Sequence, residues 1–97
     1  MVRVKHYSSY QPNGYEHEVT ELQWKVLQVL QVLQGKEKPF YSDREIALQI
    51  GLSDGVRFAV AQALYYLKRD YLIKSLGVGS EGESFCLNYG ERIERVD

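Results

Sequence analysis

SDREIALQIGLSDGVRFAVAQALYYLKRDYLI, residues 42–73, is the stretch whose reading decides the fold. Ser42 and Glu45 have the spacing of a capping box, in which a hydroxyl and a carboxylate each satisfy a backbone N–H left over at a helix start. Ile46, Ala47 and Ile50 give the helix that follows a narrow apolar stripe. Gly51 stops it, because glycine takes the left-handed conformation after a helix end at little steric cost. Leu52 is then expected to plug the corner. Ser53 or Asp54 caps a second helix, along which Val56, Val60, Leu64 and Leu67 recur at helical spacing. Two helices joined by a tight turn, running into a strand over residues 71–76, are the expectation.

Upstream, Thr20 and Gln23 form another capping box, and Val19 with Trp24 fits a hydrophobic staple around it. The helix expected over residues 21–34 carries Leu22, Trp24, Val26, Leu27, Val29, Leu30, Val32 and Leu33, leaving Gln28, Gln31 and Gln34 as its polar strip. So apolar a helix is central to a core or shares a face with a second subunit. Residues 36–39 are a polar loop, and Phe40-Tyr41 has room only for a two-residue bridge to another strand. Residues 2–7, VRVKHY, alternate as a strand or an extended arm that bends at Pro12-Asn13-Gly14. Residues 1–15 either pack on a partner subunit or are loose.

Downstream, the glycine-rich residues 77–83 are expected to form the long tip of a hairpin whose second strand covers 84–89. Alternation puts Phe85, Leu87 and Tyr89 on the core side, and Cys86 and Asn88 on the other. The tail, 90–97, has Ile93 and Val96 to bury and is read as a single helical turn. Three parts result: an N-terminal arm over 1–19, a central domain over 20–89 and a tail over 90–97.

At 97 residues the chain allows one domain, and its 44% hydrophobic and 26% charged composition is that of a globular protein. No apolar run reaches the roughly 20 residues a bilayer requires, and MVRVKHYSSY lacks a signal-peptide core. Cys86, the single cysteine, excludes an intrachain disulfide and a multi-cysteine zinc site. A cytoplasmic protein without membrane association is the expectation. The net charge of −1 is unlike that of most nucleic-acid binders. Within residues 57–74, however, Arg57, Lys68, Arg69 and Lys74 face only Asp70, whereas residues 81–97 hold five acids against Arg92 and Arg95. Positive charge therefore gathers on the second helix of the 42–73 stretch and the strand after it.

In order, these elements make helix, short bridge, helix, turn, helix and hairpin. From about Thr20 to Tyr89 the chain resembles the winged helix-turn-helix superfamily of small transcription regulators, MarR-like and ArsR-like in outline. The likeness is carried by ELQWKVLQVLQ, by REIALQIGLS, and by VAQALYYLKRDYLIKS, which puts Val60, Leu64, Leu67, Leu72 and Ile73 on the family's apolar positions. The tyrosine-rich small domain also resembles regulators encoded by archaeal viruses and plasmids. The resemblance implies a mainly α fold with a small β-hairpin wing (α+β). Three departures stand out. Tyr71 sits where the family has glycine, so that turn is expected to be built without a left-handed residue. About three extra residues between Ser53 and Val60 lengthen the recognition helix at its start. The wing carries Glu81 and Glu83 in place of cations.

In the winged-helix mode the recognition helix, about Asp54 to Arg69, enters the major groove. With Val60, Leu64 and Leu67 buried, Phe58, Gln62, Tyr65 and Arg69 fall on the opposite face, flanked by Arg57 and Lys68. Gln62 suits an adenine edge, whereas Lys68 and Arg69, at the helix end, suit phosphates. Ser42, Arg44 and Ser53, at helix starts, are further candidates for phosphate contact. For each of these side chains the alternative is simple solvation. Phe58 could instead cover the extra turn or meet a partner, and Tyr65-Tyr66 could stack on bases, bond phosphates or pack against the wing.

Nothing points to an enzyme or a bound cofactor. His6 and His17 lie in the N-terminal region expected to be weakly structured, without cysteine or carboxylate at ligand spacing. Gly77-x-Gly79-x-x-Gly82 precedes a strand instead of opening a helix, so it lacks the phosphate-cradling context. Cys86 is read as an inert thiol, with an intersubunit disulfide or a redox switch as the alternatives. The function expected is a sequence-specific, double-stranded DNA-binding transcription regulator. It would act as a homodimer through the first helix, the N-terminal arm and the C-terminal tail. The rival is a winged-helix protein-interaction module.

Overall fold

Val2, Val4 and His6 alternate with Arg3, Lys5 and Tyr7, and the alternation makes Val2–Tyr7 a strand, β1, with one face buried. The chain is seen in a computed structural model that describes residues 1–8, 10–33, 40–51, 57–79, 82–87 and 91–97. β1 pairs antiparallel with β2 (Tyr15–Val19), with Val2 opposite Val19 and His6 opposite Tyr15, and Gly14 lies in the segment that joins them. Glycine is required at that position. It lies at φ +77°, and a Cβ there would stand 2.9 Å from side-chain atoms of Lys5 and Tyr7.

The first helix, α1 (Glu21–Leu33), starts at the predicted capping box: Thr20 N–H donates to Gln23 Oε1 (2.7 Å), and Gln23 N–H donates to Thr20 Oγ1 (3.1 Å). A two-residue strand, β3 (Tyr41–Ser42), leads directly into α2 (Asp43–Ile50). Ser42 and Glu45 complete the second capping box, and Gly51 ends α2 in the left-handed conformation at φ +83°. Then come α3 (Arg57–Arg69), β4 (Lys74–Gly79), β5 (Gly82–Cys86) and β6 (Arg92–Arg95). The proposed roles of Leu52, Ser53 and Asp54, and the extra turn ahead of the recognition helix, lie outside the described residues.

The expectation of a mainly α chain is corrected. The described residues are about 42% helix and 35% strand, with two three-stranded antiparallel sheets, ordered β2-β1-β6 and β3-β5-β4. The added strand content comes from the chain termini. The tail forms no helical turn: Ile93 pairs with His6 and Arg95 with Val4, so β6 extends the β1–β2 hairpin. Neither arm nor tail is separate. Val2, Val4, Val19 and Ile93 share one buried core with Leu27 and Leu30 of α1, Ile46 of α2, and Val60, Leu64 and Leu67 of α3.

Two further expectations change at the hairpin. The strands continue into the glycine-rich residues as far as Gly79 and Gly82, which are paired, so much of the expected tip belongs to the strands. Phe85, Cys86 and Leu87 are buried in succession, which means both faces of β5 are covered. Cys86 therefore does not point to solvent, and burial raises the pKa of its thiol.

Tyr71 does adopt the left-handed conformation, at φ +61°, contrary to expectation. The end of α3 is a Schellman motif: Leu72 N–H donates to the Leu67 carbonyl (3.0 Å) and Tyr71 N–H to that of Lys68 (3.1 Å). Leu67 and Leu72, the apolar pair that accompanies this motif, are both buried.

Candidate nucleic-acid interface

α3 divides cleanly into two faces. Val60, Ala63, Leu64 and Leu67 are buried against α1 and α2, while Phe58, Gln62, Tyr65, Lys68 and Arg69 are exposed. The predicted outward set is thus brought together on one surface, next to the β4–β5 hairpin. The charges on it are held differently from the expectation.

Lys68 Nζ lies 2.6 Å from Glu83 Oε2 on β5. The Ser75 hydroxyl donates to the same carboxylate oxygen, and the Gly77 N–H donates to Ser75 Oγ (3.1 Å). These bonds, from Lys68 first and Ser75 second, hold the Glu83 carboxyl below its ordinary pKa. Val78 is the cross-strand neighbour of Glu83 on the hairpin, so it shares the α3-facing side, yet it is 83% exposed. Arg57 reaches back to the start of α2, placing Nη2 3.1 Å from Asp43 Oδ1 and Nε 3.3 Å from Oδ2. It ties the two helices together instead of projecting freely. Arg69 lies over the ring of Tyr66, 4.7 Å from its centroid, with Asp70 at 3.4 Å.

The remaining predicted contacts part company. Arg44 is exposed at the start of α2 and has no acidic partner within 4 Å among the described residues. Ser42 is only 2% exposed, and its hydroxyl accepts the Glu45 N–H as the helix cap, so it is enclosed and offers no surface for a phosphate. Ser53 lies outside the described residues.

Sequence reasoning passed over Tyr71, which is 81% exposed and stands beside Tyr65, Lys68 and Arg69 around an open niche of about 350 Å³. The available signal was a tyrosine at the position where a helix end favours glycine. It also passed over Leu76 and Val78, whose exposure on β4 gives the hairpin an apolar outer part.

Elsewhere, His6 and His17 belong to strands and not to a loose arm. His6 is buried, its Nδ1 2.8 Å from the Tyr15 hydroxyl and its Nε2 2.9 Å from Glu91 Oε2. The His17 ring stacks edge-on to Tyr15. This enclosed cluster fastens the chain ahead of β6 to the first hairpin. Among the described residues no group of three or more His, Cys, Asp or Glu side chains is placed to hold a metal ion. A groove of about 340 Å³ between α1 and α2 is lined by Lys25, Gln28, Val29, Val32, Leu33 and Ile50, among others. No helix among the described residues is long and apolar enough to cross a membrane.

No protein-family model matches this chain, and no curated protein matches its sequence.

Proposed function

We propose that this chain is a sequence-specific, double-stranded DNA-binding regulator of the winged helix-turn-helix kind, with α3 as its recognition helix. The observation that carries the reading is the exposed face of α3. Gln62, Tyr65, Lys68 and Arg69 stand together there, on a helix that follows α2 through a short connection and leads into a two-stranded hairpin. Glutamine reads an adenine edge in the major groove, and cations at the helix end meet phosphates.

A single module of this size buries only about 600–1,000 Å² on DNA, so a two-fold pair of chains on a palindromic site supplies the rest of the affinity. Val2, Val4 and Val19 of the arm and Ile93 of the tail are used within the chain's own core, whereas Val96, expected to be buried, is 41% exposed. The surface left for pairing is α1, where Val32 is exposed beside the groove shared with α2.

A second reading, a winged-helix module that binds protein, is favoured by one specific observation. Phe58, Leu76 and Val78 expose apolar surface beside cations already paired with acids. Titration of labelled random-sequence duplex DNA at low and moderate salt separates the two. The DNA reading expects binding that weakens with salt, roughly one counterion released per phosphate contact, and that weakens further in Arg69→Ala. Absence of binding at low salt would remove it in favour of the second reading.

A further inference from the structure

Tyr71 is the one non-glycine residue with positive φ among the described residues. It occupies the position after α3 where glycine is free of the steric conflict between Cβ and backbone that a left-handed L-residue carries. Strain of this kind persists where the surroundings enforce it, and it gathers at binding sites. The tyrosine ring is 81% exposed, and its side chain has neither a hydrogen-bond nor a ring partner among the described residues. The backbone bonds of the Schellman motif fix the conformation whichever residue stands there, and glycine would satisfy them with less strain.

The strain does have one effect, which is to hold the ring at the rim of the niche lined by Tyr65, Lys68, Arg69 and Tyr71. The residues that line this open space of about 350 Å³ carry two phenol hydroxyls and two cations, the latter paired with Glu83 and Asp70, and such groups are donors suited to a tetrahedral anion. The carbonyl end of a helix repels anions, and Lys68 and Arg69 in the last turn of α3 counter that effect. Glu83, now on Lys68, is the group an incoming anion displaces.

We propose that this niche seats one backbone phosphate of duplex DNA, with Tyr71 held left-handed so that its hydroxyl donates to a phosphate oxygen. The inference rests on the DNA-binding reading and adds to it a contact that positions the duplex without reading sequence. Because tyrosine is uncharged, its loss weakens binding to every duplex alike and leaves the salt dependence unchanged, unlike the loss of a cation.

The test compares wild-type protein with Tyr71→Gly and Tyr71→Phe, using thermal unfolding and titration of random-sequence duplex DNA. Tyr71→Gly is expected to raise Tm by about 4 °C through relief of strain. It is also expected to weaken binding by about tenfold, the loss typical of one hydrogen bond to a charged group. Tyr71→Phe should lose the same affinity with no gain in Tm. Wild-type affinity in either variant overturns the site while leaving the DNA reading in place, as does a salt dependence altered by either change. A Tm that does not rise in Tyr71→Gly removes the strain and overturns it too. Failure of the wild-type protein to bind duplex overturns both.

Discussion

Lys68 Nζ lies 2.6 Å from Glu83 Oε2, so the hairpin carries an acid that occupies one of the two cations in the last turn of α3. Under the proposed DNA-binding function, the duplex displaces this carboxylate to reach Lys68. Glu83→Gln is therefore expected to tighten binding to duplex DNA by about threefold at low salt, and by less at higher salt as charge effects are screened. A fluorescence anisotropy titration against wild type checks this, and unchanged or weaker binding would contradict it. Because the folded protein holds Glu83 below its ordinary pKa, the stability this supplies is complete above the ordinary glutamate range and is lost as pH falls through the depressed value.

Ser42 is expected to matter for folding and not for DNA. Ser42→Ala removes the acceptor for the Glu45 N–H and should cost about 0.5–2 kcal/mol. Urea denaturation measures that loss. Under conditions where the variant is fully folded, its duplex affinity should equal that of wild type.

Ile93 tests whether the chain termini belong to the common core. Its side chain is 2% exposed in β6, within the cluster that includes Val4, Leu27 and Leu64. Ile93→Ala is expected to destabilise the whole protein by about 2–5 kcal/mol in a single cooperative transition. Loss confined to the terminal strands, visible as a separate first transition, would mean that the β2-β1-β6 sheet folds on its own.

His17 gives the stability a dependence on pH near neutrality. Burial lowers its pKa, opposed by Asp70 and reinforced by His6. The unfolded chain therefore binds the proton at higher pH than the folded one. Stability from this group is complete above the ordinary histidine pKa and falls as pH drops from there towards the folded value. Tm should decline between about pH 7 and pH 5, and the decline should be shallower in His17→Gln.

What was legible in the sequence was local. Both capping boxes, the Gly51 stop and the buried stripe of α3 depend on residues three or four apart, and each was formed where expected. The β2-β1-β6 sheet was not legible as a sheet, because β6 is four residues long and its partner lies almost a full chain length away. The site divided in the same way. Helical spacing placed Gln62, Tyr65, Lys68 and Arg69 on one face. The partners that restrain Arg57 and Lys68, fourteen and fifteen residues away, follow from tertiary packing alone. At Tyr71 the residue type argued against a left-handed turn, and the backbone bonds from Leu72 and Tyr71 to α3 prevailed.

The central claim, that the exposed face of α3 meets duplex DNA, is tested most directly by mapping amide chemical-shift changes in isotope-labelled protein during titration with duplex. The account predicts that the largest changes fall on Gln62, Tyr65, Lys68, Arg69 and Tyr71, with the β4–β5 hairpin responding at Glu83. Changes centred on the α1–α2 groove or the β2-β1-β6 sheet, with those five amides unmoved, would contradict it.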